Sequence, residues 1–510
     1  MNTGARLTWL RNVGSGYANA AVGGIVFIAV TPVLVHKLGN AAFAVWVLAQ
    51  TITFYLHFFD GGLHSAQVRY HAHFAARGRD REVQRLITTT VLALLAAGVL
   101  AALCGTLVAL SPASWWKGLP APLAADFRQV IFILAANLLI DIPAQALENI
   151  YEGAQRFDVR NLRMLAFRVI TAAAQLTLLL LGHGIVALAL AELACTAASI
   201  LVDIWLIRRI FPGVLQLDAG FSWRLWRRIR RYALWSYLDD LLVEGTAQLD
   251  KLLLAVFLPI VALTPYALSL SLAGVLFVAV GPMTETFFPM AASLRAGAQR
   301  EDLARLLVDG SKLVTAIAAP LAIFFCCFGD WVLRLWVPEG AASLPAGLVT
   351  LVTLNSLVGV YLWTFTVLLM AANRIRLVAI LTLIEVAIEV ALVLLLVQRY
   401  QLVGLAMAGL AAHAIIGFGV KIPIVARAEG SSVWSIVAPS LGRLCLASLP
   451  AVMIALLLRK SFRGDAWSLV ADAAMVGIAY LVCLVLLGLT PRDRSRLAQV
   501  WQDVRGRGVP

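Results

Sequence analysis

Charge is what this chain has least of. Only 14% of its 510 residues are Asp, Glu, Lys or Arg, against about 25% in soluble globular proteins. A water-soluble chain of this length needs far more polar surface, so a soluble enzyme and a disordered protein are both excluded. Cysteine is sparse and unpatterned. Cys104, Cys195, Cys326, Cys327, Cys445 and Cys483 sit in or beside apolar runs with no C-x-x-C spacing, which points to packing rather than disulfides or metal ligation. A phosphate-cradling loop is missing as well. Gly310-Ser311-Lys312 lacks the earlier glycine of a Walker motif, so neither direct ATP coupling nor any cofactor is expected. No cleavable signal peptide is evident. Arg6 and Arg11 precede an apolar run that is too long for a signal h-region and reads as a first membrane span.

What the chain does have is apolar length. Hydrophobic residues make up 61% of it, with mean hydropathy +0.88. Fourteen apolar runs recur, near 13–36, 42–66, 86–110, 127–151, 163–182, 185–211, 232–258, 262–290, 307–328, 345–371, 377–398, 402–425, 434–458 and 467–489. Each can cross the hydrocarbon core as a helix that satisfies its own backbone. The net charge of +13 then sorts itself. With the N-terminus in the cytoplasm, 31 of the 41 Lys and Arg fall on the cytoplasmic side, 8 on the other and 2 inside spans. This asymmetry places both termini of a multi-pass membrane protein in the cytoplasm.

The longest polar break, 212–231, holds Trp223-Arg224-Leu225-Trp226-Arg227-Arg228. Tryptophans three apart with arginines between them predict an amphipathic helix in the headgroup layer, in contact with membrane lipids, rather than a nucleic-acid patch. The outward loops are too short for a catalytic domain. A shift of 220 residues superposes the chain weakly on itself: Tyr17 on Tyr237, Gly61 on Gly281, Arg85-Leu86 on Arg305-Leu306 and Trp116 on Trp336. Six spans repeat as six, in the same orientation. The expected fold is an all-α integral membrane protein of about 14 transmembrane helices: two parallel six-helix pseudo-symmetric bundles plus two C-terminal helices around a central cavity. Its parts are a first bundle at 1–211, a basic amphipathic linker at 212–231, a second bundle at 232–427, two further spans at 428–490 and a basic cytoplasmic tail at 491–510.

Charges at membrane depth mark the work to be done. In span two, Gln50, Thr53, His57, Asp60, His64, Gln67 and His71 advance by threes and fours and share one face. Asp60 with His57 and His64 reads as a proton relay or as a polar wall wetting a cavity; a zinc site lacks a fourth ligand. Span seven carries Ser236, Asp240, Glu244 and Lys251. Lys251 either pairs with Glu244 or Asp250 or meets an anionic substrate. Span four adds Asn137, Asp141, Gln145, Glu148 and Glu152, and span six Glu192, Thr196, Ser199 and Asp203. Gly61-Gly62 and Gly281-Pro282 suggest paired bends.

Several stretches resemble one known family. They are Lys37-Leu38-Gly39-Asn40 with Trp46, Asp60-Gly61-Gly62-Leu63, Val68-Arg69-Tyr70 and Ala76-Arg77-Gly78-Arg79-Asp80, then Gln155-Arg156-Phe157 and Gln248-Leu249-Asp250-Lys251-Leu252-Leu253-Leu254. Their order and spacing are similar to those of the polysaccharide transporters, which include O-antigen flippases. These belong to the multidrug/oligosaccharidyl-lipid/polysaccharide exporter superfamily. The resemblance implies a non-enzymatic flippase that moves an undecaprenyl-diphosphate-linked oligosaccharide outward by alternating access. It implies polysaccharide polymerase or ligase partners and coupling to a proton or sodium ion. Lipid II flippases carry arginines in span one and many drug antiporters an acid; here neither occurs, and Tyr17 and Asn19 are the nearest polar groups. Only Asp60, Arg69, Asp250 and Lys251 sit on the recognisable motifs.

The expected substrate-binding residues are Arg69, Arg156, Arg295 and Lys312 for the diphosphate, with Lys251 deeper and Gln67, Asp240 and Glu244 in the cavity. The coupling candidates are His57, Asp60, His64, Glu244 and Asp250. A proton- or sodium-coupled multidrug exporter is the alternative, and a membrane-embedded polysaccharide ligase or glycosyltransferase is further from the sequence.

Overall fold

The computed structural model describes residues 3–112, 115–116, 118–215, 220–296, 300–372, 374–462 and 464–490. The side chains of 3–21, of 375 and of several positions in 232–247 and 282–301 fall outside this description. Asp240 and Glu244 are among them, and the 491–510 tail lies wholly outside. Among the described residues the regular structure is helical throughout. Eleven helical segments are long and apolar enough to cross a membrane. Two of them, Val22–Asp60 and Arg376–Ala428, each hold two of the fourteen expected spans. The remaining expected span, 232–258, has five charged residues between Asp239 and Lys251, which keeps it outside that criterion.

The chain forms two compact units, Met1–Thr264 and Pro265–Pro510. In the first, α1 (Thr3–His57) is broken only at Gly39, whose φ is +76°. A 3-10 turn at Phe58–Asp60 follows, then α2 (Leu63–Ala75). Span two is therefore not the single helix expected over 42–66. It breaks where Gly61 and Gly62 both take left-handed φ, +62° and +69°, a region that glycine enters without the Cβ clash. The Asp60 carboxylate holds the turn by accepting the Gly62 amide at 3.1 Å.

The unit is completed by α3 (Asp80–Ala109), α4 (Ala124–Gly153), α5 (Phe157–Leu180), α6 (Ile185–Ile210) and α7 (Trp223–Phe257). Small residues set the spacing of α3 and α4. A Cβ on Gly98 would stand 3.2 Å from the Leu138 carbonyl, and one on Gly105 2.9 Å from Ala135 Cβ. Leu86, Leu94, Leu138, Ile142, Ile150 and Ile207 fill the core between the helices. The opposite face of α3 leaves Leu92, Leu95, Val99, Leu103 and Leu107 exposed, a surface suited to lipid and not to water.

The amphipathic segment expected as a separate linker is instead the first two turns of α7. Ser222 caps it, its hydroxyl accepting the Leu225 amide, and Ile229 and Ala233 are buried in the first unit's core. Tyr55 donates its hydroxyl to the Gly245 carbonyl at 2.6 Å. So α7, placed by sequence at the head of the second bundle, packs with the first six spans.

The second unit holds most of α8 (Leu263–Ala296), then α9 (Arg300–Trp336), α10 (Leu348–Ala371) and α11 (Ile375–Ile416). Helix α8 stays helical through Gly281-Pro282, so the expected bend has no break in this half. Helix α11 breaks at Gln401 (φ +48°) and runs through a π-helical turn, Gly417–Lys421, into α12 (Ile422–Ala428). A short α13 (Val433–Val437) leads to the last two spans, α14 (Arg443–Ser461) and α15 (Ala466–Cys483). These pack on α9 through Phe328, Ala451, Ala455, Val476 and Tyr480. The six cysteines are all free.

The glycine pair gives a sharp test. A Cβ on Gly62 would collide with the Ala233 carbonyl and stand 2.6 Å from the Tyr237 amide, whereas the nearest atom to one on Gly61 is 3.9 Å away. Asparagine enters the left-handed region at modest cost. Gly61→Asn should therefore cost about 1 kcal/mol or less. Gly62→Asn should lower the thermal midpoint in detergent far more or abolish recovery of monodisperse protein. Equal effects would contradict this packing.

Candidate functional site

The polar stripes of spans two and four, separate in the sequence, face one another in the first unit. The Nε2–H of His57 donates to Asp141 Oδ2 at 2.7 Å, while the Gln145 amide donates to His57 Nδ1 at 3.1 Å. One turn along, His64 Nδ1 bonds Asn149 Oδ1, and its Nε2 lies 3.5 Å from Glu152 Oε2. Asn149 donates onward to Gln67 Oε1 at 3.1 Å, and Gln67 donates to the Ala146 carbonyl at 2.8 Å. Above them Gln50 donates to Glu192 Oε2 of α6 at 2.8 Å. Two helices thus present one continuous ladder of donors and acceptors. It is not sealed: the His57 and Asp141 side chains are 37% and 36% exposed. Gln67 and Asn149, both fully buried, hold the lower rungs in place.

Asp60 stands apart from this ladder. Its carboxylate accepts the Gly62 amide; among the described residues no hydrogen bond joins it to His57 or His64, although it acts electrostatically on both. Among the described residues no group of three His, Cys, Asp or Glu could hold a metal ion.

Below the ladder lies an ion cluster that sequence reasoning missed. Arg163 of α5 pairs with Glu148 and, at 3.1 Å, with Asp203 of α6. Asp203 also accepts the Tyr151 hydroxyl at 3.2 Å. Arg163 is 7% exposed and Asp203 1%. Buried charges persist only when paired and hydrogen-bonded, and this set pins α4, α5 and α6 together. In sequence Arg163 counted merely as a basic residue near a loop.

The other expected residues fall in different places. Arg69 is exposed on α2. Arg156 forks onto Asp158, at 3.0 and 3.3 Å. Lys251 donates to Gln248 Oε1 at 2.6 Å, within its own helix, beside a half-buried Asp250. In the second unit Arg295 lies 3.4 Å from Glu429, and Lys312 is buried in α9. The same unit holds a second membrane-depth set that no sequence stripe announced. His413 Nδ1 meets Asn355 Oδ1 at 3.0 Å and its Nε2 meets Glu385 at 3.3 Å, just before the π-helical turn.

Comparison with known proteins bears on what such a wall serves. A family described as "Polysaccharide biosynthesis protein" matches residues 38–339. Among curated proteins no sequence relative is found. In fold the chain is similar to the lipid II flippase MurJ in its inward closed conformation. The TM-score is 0.66 at 14% identity, over 93% of this chain and 98% of that one. It is also similar to an inward-facing multidrug resistance MATE family transporter of the MOP superfamily, with TM-score 0.66 at 14% identity over 80% and 96%. At these identities the likeness concerns the fold. Together with the apolar helices it makes the chain a multi-pass membrane protein.

One histidine of the stripe carries a pH signature. His71, in α2 beyond the apolar part of span two, is 4% exposed. Its ring lies against Gly153, where a Cβ would stand 2.5 Å from Cγ. Burial pushes its pKa down from 6.5 to about 4. The folded value lies below the unfolded one, so the unfolded chain takes the proton first as pH falls. The stability tied to neutral His71 is whole above about pH 6.5 and is lost progressively toward about pH 4. The unfolding midpoint in detergent should fall between about pH 7.5 and about pH 5, and fall less in His71→Asn. Parallel curves would contradict the assignment.

Proposed function

This chain belongs to the polysaccharide biosynthesis protein family, and we propose that it is a flippase for a lipid-linked oligosaccharide. In this reading an undecaprenyl-diphosphate-linked O-antigen or exopolysaccharide repeat unit crosses the bacterial cytoplasmic membrane from inner to outer face by alternating access. Both termini are cytoplasmic in this reading. No bond is made or broken. The observation that carries the reading is the open ladder of His57, Asp141, Gln145 and Gln50 with Glu192. Sugar hydroxyls need closely spaced donors and acceptors to replace water, whereas the polyprenyl tail can stay in lipid.

The diphosphate needs cations, and we assign this role in the first unit to Arg69 and Lys251; Arg295 and Lys312 are separate candidates within the second unit. Arg156 has a weaker claim because Asp158 already neutralises it. The fold is shared with a multidrug transporter, but a wall of amides, carboxylates and imidazoles suits a sugar better than an apolar drug. Coupling to a proton or sodium ion would use His57, with Asp60, His64, Glu244 and Asp250 as further candidates.

The test is translocation in vesicles loaded with a defined undecaprenyl-diphosphate oligosaccharide, read by accessibility of the sugar to an external lectin. Active protein should expose the sugar. Arg69→Ala and Lys251→Ala should each slow exposure by about tenfold, the worth of one lost charged contact. No exposure with folded protein would overturn the reading. Drug extrusion without sugar transfer would replace it with the exporter.

A further inference from the structure

A second set of cations gathers where α2 ends and α7 begins, away from the ladder. Arg77 donates to His73 Nε2 at 2.7 Å. The Arg228 guanidinium lies over the Tyr70 ring, 5.5 Å from its centroid. Arg69, Arg77, Arg79 and Arg228 all act electrostatically on His73, so four guanidinium groups surround one imidazole. Their acidic counterparts are few. Arg79 has Glu82 of α3 at 3.4 Å, both side chains exposed. Among the described residues neither Arg77 nor Arg228 has a carboxylate within salt-bridge distance; both lean on neutral rings instead. Collecting like charges opposes folding, and nothing in the packing of the exposed Arg77 and Arg79 requires it.

The flanks of the cluster are those of a membrane surface. Trp223 is 66% and Phe221 38% exposed, stacked edge to face at 5.2 Å. Arg224, Arg227, Arg230 and Arg231 are exposed along the same two turns of α7, while Ile229 anchors the helix to the core. Exposed aromatics beside arginines mark a helix seated among headgroups. Guanidinium forks match phosphate oxygens bidentately, and phosphate is the anion that a headgroup layer supplies.

We propose that Arg69, His73, Arg77, Arg79 and Arg228 form a binding site for the phosphate of an anionic lipid, one of net negative headgroup charge, in the adjoining leaflet. The leaflet is the cytoplasmic one in the orientation proposed above, and that clause alone rests on the functional reading. Either a phospholipid or a polyprenyl phosphate supplies the required chemistry. His73 makes the site proton-linked. Its pKa lies below the ordinary value, through burial first and then the four arginines, and its Nε2 accepts from Arg77. The charged groups facing it are Arg69 of its own helix, Arg77 and Arg79 of the turn that follows and Arg228 of α7, with Glu82 of α3 engaged by Arg79. A bound phosphate offsets those arginines and raises the histidine's affinity for a proton. Binding therefore takes up a proton and tightens as pH falls.

The experiment measures binding to full-length protein in neutral detergent. The probes are short-chain phosphatidylglycerol, short-chain phosphatidylcholine, farnesyl diphosphate and inorganic pyrophosphate. Phosphatidylglycerol keeps its charge between pH 6 and 8, so its pH dependence reports the protein. It should bind about threefold or more tightly at pH 6 than at pH 8. His73→Gln should retain binding and lose that dependence. Arg77→Gln with Arg228→Gln should weaken binding at least about tenfold. Arg77→Glu alone, in the exposed turn after α2, guards against a folding defect at Arg228. Preference for farnesyl diphosphate over phosphatidylglycerol would identify the polyprenyl source, and the reverse the phospholipid; either supports the site. Equal affinity for phosphatidylcholine, tighter binding of free pyrophosphate than of both lipids, or unchanged binding in the arginine variants would overturn it. These readouts need no transport, so the site can fail while the flippase stands, and the reverse.

Discussion

A polar group below the membrane surface must find a partner or lose several kcal/mol. The first unit answers this constraint by matching two stripes. Three rungs that α1 and α2 present to α4 are met: His57 by Asp141 and Gln145, His64 by Asn149, and Gln67 by Asn149 and a backbone carbonyl; His71, packed against Gly153, keeps a buried Nδ1 without a hydrogen bond among the described residues. Exposure differs from rung to rung. Gln67 and Asn149 see no solvent, whereas the side chains of His57, Asp141 and His64 are 37%, 36% and 39% exposed. The sealed rungs order the helices and the exposed ones are left to bind.

That register depends on the break in span two. An unbroken helix would carry His64 and His71 onward at 100° per residue along the line of α1. The two left-handed glycines redirect α2 beneath α7, where the backbone of Gly62 lies too close to that of Ala233 for any side chain. The redirected helix delivers His64 and Gln67 to α4 and carries His73 and Arg77 outward to meet Arg228. One turn therefore positions both the wall and the cation cluster.

Much of this was legible in the sequence because lipid leaves few choices. Apolar length locates the helices, and the stripes in spans two, four and six show which faces avoid lipid. Pairing was not legible, since periodicity gives a face but not its neighbour's rotation. His57 was grouped with Asp60, which sits three residues on, when its partner is Asp141, on another helix. Arg163 was hidden by its place beside a loop, where a buried ion pair and a topology charge look alike in sequence. His413 and Asn355 were hidden because each is a lone polar residue in an apolar helix. The boundary after α7 was hidden too. The 212–231 break suggested a linker, but Ser222 caps a helix that begins inside it and packs with what precedes.

The central claim is that the ladder lines a wet chamber that opens to each face of the membrane in turn. Its most direct test is a single cysteine in place of Gln145, in a variant lacking the six native cysteines, reconstituted in sealed vesicles. A membrane-impermeant thiol reagent should label it from either side. Adding a lipid-linked oligosaccharide should slow the labelling. A position 145 that stays protected from both sides, in protein still labelled readily after unfolding, would contradict the account.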